Sequence, residues 1–408
     1  MEELKSLKLE VVAMLDKKKI LYEITKNKNF NINVSEPYNE ISIQFIKDFS
    51  NQLRKQEILK YPDLIYLTFW CANKQIFENK NFLSENQIKV GRGLIFHICP
   101  SNVPTNFIYS FFFGLLSGNS NIVKIPSKVF PEKDIIINTI NKIFKKKKYL
   151  TLKNSNFFLN YDKKIEKTKK ISSICDARVI WGGDNTINEI RKIWIPERAI
   201  ELTFSDRYSF SVINLNKFTK NKFDEIKVLA KKFFYDSYMM NQAACNSPHF
   251  IFWIGKNTTT KNLFWEELNN VVKKKFILDE KIAIDKYTHL IKSMIDQKNF
   301  DNFKMFQNNI YIIDSNKYLN NIEDIRGKNG IFYQKNINNI QELKKYISKK
   351  CQTVTYFGLE KDDIKSFILN NNLFGVDRIV PIGKGLEIGP IWDGYDIIKS
   401  LSRIISIE

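Results

Sequence analysis

The chain has only three histidines in 408 residues, and its five cysteines (71, 99, 175, 245 and 351) form no CxxC pair. With no ligand spacing between these residues, a structural or catalytic zinc site is excluded. An odd number of scattered cysteines in a chain this size reads as thiols in a reducing compartment. No apolar run is long enough to span a bilayer, and the oiliest stretch, FIYSFFFGLLSG at 107–118, falls well short. The N-terminus, MEELKSLKLEVVAML, carries acidic residues and lacks the apolar centre of a signal peptide. A cytoplasmic protein that is not integral to a membrane is expected. Internal repeats, low-complexity linkers, a GxGxxG fingerprint and a Walker motif are all missing.

Arginine is scarce too, and this weakens the nucleic-acid reading that a net charge of +20 invites. Duplex readers use Arg for bidentate base contacts. Here the positive residues are mostly Lys, mixed with Asn and Ile along the whole chain, a mark of AT-rich coding rather than of a binding face. The densest run, KIFKKKKYL at 142–150, fits the solvated end of a helix. A nucleic-acid partner is therefore not expected, although the positive field favours anionic ligands such as a dinucleotide or coenzyme A.

What is present is apolar material for two cores: 43% hydrophobic residues, with 32 Phe. Residues 1–90 read as helices with polar joints, for instance around 42–59. From residue 93 the pattern alternates. GLIFHIC (93–99), NIVKI (121–125) and ARVIW (177–181) read as buried strands. Between the first two, Asn106–Ser117 reads as a wholly buried helix, and 131–144 is an amphipathic helix opened by Pro131. AIELTF (199–204), FSVIN (210–214), HFIFWI (249–254), NIYIID, GIFYQ and QTVTYFG continue the strands, with helices at 223–240, 341–349 and 361–369. The tail is punctuated by Gly and Pro and reads as ending in a short helix. The alternation predicts doubly wound parallel α/β sheets. Three segments are expected: 1–208, a dinucleotide-binding domain with N-terminal helices; 209–377, a catalytic domain; and 378–408, a C-terminal segment packing back on the body.

Cys245 lies in the helix-to-strand turn NQAACNSP, where backbone N–H dipoles lower a thiol pKa and donate to an oxyanion. The other four cysteines lie in or beside apolar runs and read as structural. SNVP (101–104) puts the Asn102 amide in a Pro-restricted loop just past a strand's carboxyl end, where open α/β sheets bind ligands. KIPSK (124–128) offers Lys124, Ser127 and Lys128 to a ribose or its 2′-phosphate. WGGD (181–184) resembles a phosphate turn at Gly182 and Gly183, although Asp184 sits awkwardly beside a phosphate. Glu201 is a carboxylate inside an apolar strand. His97 reads as a hydrogen-bonded core residue, and His249 is too close to Cys245 along the chain to assume a Cys–His dyad.

The order of these segments resembles the aldehyde dehydrogenase superfamily, and within it the LuxC-type acyl-CoA reductases. GLIFHICPSNVP, GLLSGNSNIVKIPS, VIWGGD, FSDRYSFSVI, NQAACNSP and RIVPIG...WDGYDIIKSLSR carry the likeness, from about residue 90 to the C-terminus. The resemblance implies two α/β domains with the active site in the cleft between them. It makes Cys245 the nucleophile and Asn102 an oxyanion-hole amide that acts with the Cys245 N–H. Lys124 and Ser127 become adenosine-ribose contacts, and Gly182 and Gly183 the turn under the pyrophosphate. Glu201 stands where aldehyde-oxidising relatives keep a general base; a reductase does not activate water, so Glu201 is expected to orient groups or shuttle a proton. Glu323 is the candidate nicotinamide-ribose carboxylate. No chemistry is assigned to the WDG segment at 392–394.

The implied activity is reduction of a fatty acyl thioester, carried by coenzyme A or a protein, to the aldehyde. NADPH is the expected cofactor because Ser127 and Lys128 suit a 2′-phosphate; NADH is the alternative. An acyl-protein synthetase partner and a homo-oligomer follow by analogy. The rival activities are aldehyde oxidation and a phosphorylating semialdehyde dehydrogenase.

Overall fold

The computed structural model describes residues 30–77, 87–100, 103–161, 165–219, 221–276, 280–296, 302–315 and 322–408. The chain divides into two compact units: residues 1–205 with 389–408, and residues 206–388.

Among its described residues, the first unit begins with α1 (Glu40–Leu53) and α2 (Pro62–Trp70), followed by strand β1 (Gln87–Gly91). Its sheet is built from β2 (Leu94–Ile98), β3 (Ser120–Lys124), β4 (Asn156–Leu159), β5 (Ala177–Trp181) and β6 (Ile200–Phe204) in the order β4-β3-β2-β5-β6, all parallel. Helices α3 (Asn106–Leu116), α4 (Pro131–Phe144), α5 (Ile165–Ser172) and α6 (Asp184–Arg191) come between the strands. Both faces of the sheet are covered, so its strands are largely apolar rather than strictly alternating. Leu94, Phe96, Ile98, Ile122 and Ile180 pack with Ile171 of α5 and Ile187 of α6. On the opposite face His97 meets Ser110 of α3. That helix is buried from Phe107 to Leu116. It lies so close to the sheet that a Cβ on Gly114 would collide with Asn121 Oδ1 and His97 Nε2.

The second unit holds a seven-stranded sheet. Its elements in chain order are β7 (Tyr208–Asn214), α7 (Lys222–Tyr238), β8 (Pro248–Ile254), α8 (Thr258–Lys275), α9 (Glu280–Asp296), β9 (Asn302–Phe306), β10 (Ile310–Asp314), β11 (Ile331–Ile337), β12 (Cys351–Phe357), α10 (Lys361–Asn370) and β13 (Arg378–Pro381). The order across the sheet is β13-β12-β7-β8-β11-β10-β9, parallel except for β9. Alternate residues feed two cores: Phe210, Val212, Phe250 and Phe252 enter one, and Ile213, Ile251 and Trp253 enter the other beside Phe233 of α7.

Three expectations are corrected. Residues 378–381 are not the start of the C-terminal segment, because β13 hydrogen-bonds to β12 as the edge of the second sheet; the division falls at 388/389. The tail does not end in a helix. A four-residue helix (Ile397–Ser400) leads into β16 (Ser402–Ser406), which pairs antiparallel with β1; a two-residue pairing, β14 (Ile391–Trp392) with β15 (Tyr395–Asp396), precedes it. The segment at 341–349 is a 3-10 helix over Ile340–Tyr346, not an α-helix.

Candidate active site

In the first unit the chain winds from β2 outward to β3 and β4, then returns to β5 on the other side of β2. The reversal makes the carboxyl ends of β2 and β5 the switch point of the sheet, where open α/β sheets bind ligands. Register places Ile98 beside Lys124 on one side and Ile180 on the other, so the loops after β2, β3 and β5 leave the sheet side by side. Ser101 and Asn102 lie outside the described residues.

Gly182 and Gly183 follow β5 directly, and Gly183 caps α6 in extended conformation. A Cβ on Gly183 would meet nothing within 4 Å, and one on Gly182 only Thr186 at 3.4 Å. The space over Gly183 is open at the N-terminus of α6, and a helix N-terminus suits an anion. Asp184 stands in the first turn of the same helix. After β3, Lys124 lies with its amine 4.8 Å from the centre of the Tyr161 ring. Ser127 and Lys128 are exposed. The buried Lys133 shapes their loop by donating to the carbonyls of Pro126 (3.3 Å) and Lys128 (2.9 Å). Sterically and in charge, this edge fits the phosphates of a dinucleotide.

Glu201 sits at the amino-terminal end of β6, opposite Arg178 of β5. Arg178 Nε donates to Glu201 Oε2 at 2.7 Å, its Nη2 reaches the same oxygen, and Arg191 Nε donates to Oε1 at 2.9 Å. Both oxygens of this carboxylate are thus engaged by guanidiniums. Arg178 is itself 2% exposed and also donates to the Ile193 carbonyl at 3.0 Å.

In the second unit the amino edge of the sheet gathers the remaining candidates. Between α7 and β8 the chain passes through Asn241 and Gln242 at φ 51° and 56°, two successive left-handed residues. Side-chain bonds hold this unfavourable pair. Gln242 Oε1 accepts from Gly330 N at 2.7 Å, and its Nε2 donates to the carbonyls of Pro248 and Ile331, each at 3.2 Å. Cys245 follows in a turn closed by Ser247 N donating to Ala244 O at 2.9 Å. It is half-buried, whereas Cys71, Cys99, Cys175 and Cys351 are buried. Burial pushes the Cys175 thiol up to about 12 and the Cys71, Cys99 and Cys351 thiols higher still. Those four are poor nucleophiles.

Glu323, on a short 3-10 turn, accepts from Ser348 Oγ at the same edge. The ring of His249 is buried, and its Nδ1 contacts the Gly327 carbonyl at 2.9 Å; burial depresses it to about 3. His97 is buried between Ser110 Oγ (2.7 Å) and Asn121 Oδ1 (2.9 Å). Two residues that sequence reasoning missed stand next to the Cys245 turn: Ser209 Oγ donates to the Cys245 carbonyl at 2.7 Å, and Asn246 Nδ2 donates to the Gly385 carbonyl at 2.8 Å. The polar Asn246 beside the thiol was the one available signal.

A sequence model of the acyl-CoA reductase (LuxC) family matches residues 22–404. The chain belongs to that family. The match starts well before residue 90, so the N-terminal helices are part of the shared sequence. No curated protein matches the chain significantly. Among solved structures, this LuxC family member shares its fold with an oxidoreductase from Marinobacter aquaeolei: 10% identity over 98% of this chain and 90% of that one, TM-score 0.64. It also resembles a lactaldehyde dehydrogenase, with 9% identity, 91% and 87% coverage and TM-score 0.62. A benzaldehyde dehydrogenase from Corynebacterium glutamicum, described as NAD-dependent, gives 10%, 91% and 85%, and 0.60. The fold is that of the aldehyde dehydrogenases, and the family makes the chain an oxidoreductase acting on acyl or aldehyde groups. No helix among the described residues is long and apolar enough to cross a membrane.

Proposed function

We propose that this reductase converts a fatty acyl thioester, carried by coenzyme A or by a protein, to the aldehyde through an acyl-enzyme on Cys245. The supporting observation is the contrast among the cysteines: four are buried with their thiols driven up, while Cys245 is half-buried in a turn at the sheet edge. In this reading the Cys245 thiolate attacks the thioester carbonyl, and the carrier leaves as a thiolate without prior protonation, its pKa being near 8.5. The Cys245 N–H and the Asn102 amide donate to the oxyanion, each worth roughly 3–4 kcal/mol.

A bound nicotinamide dinucleotide, NADPH in preference to NADH, would supply the hydride. Gly182 and Gly183 would sit under its pyrophosphate, Lys124 and Ser127 beside the adenosine ribose, and Lys128 beside the 2′-phosphate, with Glu323 on the second ribose. Both carboxylate oxygens of Glu201 are engaged, by Arg178 and by Arg191, rather than presented to a water, an arrangement that favours reduction over aldehyde oxidation. Incubation with a panel of acyl-CoAs should add one acyl mass to the Cys245 peptide, and added NADPH should release the aldehyde. A Cys245→Ser variant that still turns over refutes the covalent route.

A further inference from the structure

The turn that carries Cys245 is held from both sides. On one side Ser209 Oγ donates to the Cys245 carbonyl at 2.7 Å and accepts from Thr353 N at 3.1 Å, which ties the turn to β7 and β12. On the other, Asn246, 7% exposed, donates to the Gly385 carbonyl. Arg378 Nη1 donates to that same carbonyl at 3.0 Å, and Arg378 Nη2 to the Lys384 carbonyl at 3.1 Å.

The loop containing Gly385 is itself fastened to α7. Asp236, in the last turn of α7 and 1% exposed, accepts from Gly383 N at 2.6 Å and from Gly385 N at 2.8 Å. A carboxylate near the negative end of a helix gains nothing from the helix dipole. Burial also penalises its charge, raising it to about 7. Its backbone contacts with Gly383, Gly385 and Leu386, and the Arg378 guanidinium nearby, are what offset that cost. The loop is shaped for it: Gly383 has φ +99°, and a Cβ on Gly385 would lie 3.0 Å from the Asp236 carboxyl carbon.

We infer that Asp236 is a positioning residue for the acylated thiol, acting through the 383–385 loop and Asn246 on the peptide that follows Cys245. The inference rests on the proposed role of Cys245. Asp236 touches no reacting atom. It fixes the loop whose Gly385 carbonyl fixes Asn246, and so sets the direction of the thiol and of the main-chain donors in the turn. Small misplacements of a reacting group carry large rate penalties.

Acyl transfer is measured in the intact chain as coenzyme A thiol released from a fatty acyl-CoA with no dinucleotide present. Labelling of the Cys245 peptide by iodoacetamide is followed in parallel. Asp236→Asn and Asn246→Ala should each slow acyl transfer 10- to 100-fold at saturating thioester, with KM within threefold of the parent. The double variant should be no slower than the slower single one, the signature of one connected chain of contacts. Transfer by Asn246→Ala within twofold of the parent, or multiplying effects in the double variant, overturns the inference. If Asp236→Asn does not fold, Asn246→Ala decides alone. A Cys245→Ser variant separates the two claims: inactive Cys245→Ser with normal Asn246→Ala sinks only the positioning role, whereas active Cys245→Ser sinks the nucleophile.

Discussion

Arg178 and Glu201 stand opposite each other on neighbouring parallel strands, and the guanidinium on the buried side has the carboxylate as its counter-ion. The pair explains why two charged residues occur within otherwise apolar strands. A buried cation without its partner costs several kcal/mol. Glu201→Gln should therefore destabilise the chain by about 3–5 kcal/mol in urea unfolding. The protein that remains folded should keep most of its reductase turnover. Unchanged stability with kcat reduced a hundredfold would give Glu201 back its role as a proton carrier.

The open space over Gly183 separates a ligand's demands from the fold's. A methyl group there meets no protein atom. Gly183→Ala should change stability by about 1 kcal/mol or less, mostly through the helix cap. Titrations with NADPH should nonetheless show affinity lowered at least tenfold, because the pyrophosphate needs close backbone approach. Undiminished affinity would place the dinucleotide elsewhere.

Lys128 is exposed, its amine 5.0 Å from the centre of the Phe130 ring, on a loop whose carbonyls Lys133 holds. A charge-assisted bond to a 2′-phosphate is worth roughly 1.5–3 kcal/mol. Lys128→Ala should lower kcat/KM for NADPH by about 10- to 100-fold and leave the value for NADH within twofold. Equal losses with both cofactors would remove the 2′-phosphate contact, and a parent enzyme that uses NADH as well as NADPH would remove the stated preference.

Much of this architecture was readable because it is local. GLIFHIC, NIVKI and ARVIW are continuous apolar runs since their strands are covered on both faces, and Pro131 marks the first turn of α4. The β1–β16 ribbon escaped because its register joins Gln87 to Ser406 across most of the chain. Its strands also mix exposed apolar and charged residues. The Asp236 clamp was illegible for a different reason: its acceptor is a side chain, but its donors are backbone N–H groups about 150 positions away, and a backbone donor leaves no trace in residue identity. Arg178 within ARVIW was a missed clue, since an arginine in a buried run requires a partner.

Asp236 and His249, both buried in the second unit, tilt its stability in opposite directions with pH. Asp236 is raised from 3.8 to about 7 by burial, so between those values the folded protein keeps a proton that the unfolded chain releases. That contribution to stability is present in acid and shrinks as pH rises toward 7. His249 is lowered from 6.5 to about 3, chiefly by burial, so between those values the unfolded chain takes up a proton that the folded one refuses. Its contribution grows as pH rises toward 6.5. Each slope is at most about 1.4 kcal/mol per pH unit, and over pH 4–6.5 they oppose each other. Asp236→Asn lowers stability by a roughly constant amount through its altered contacts, but it also removes one slope. Urea unfolding at pH 4.5, 5.5 and 6.5 should then show the variant gaining stability with pH more steeply than the parent, by about 1 kcal/mol per unit. Parallel curves for parent and variant would mean that Asp236 keeps an ordinary carboxyl pKa, and that its backbone donors outweigh its burial.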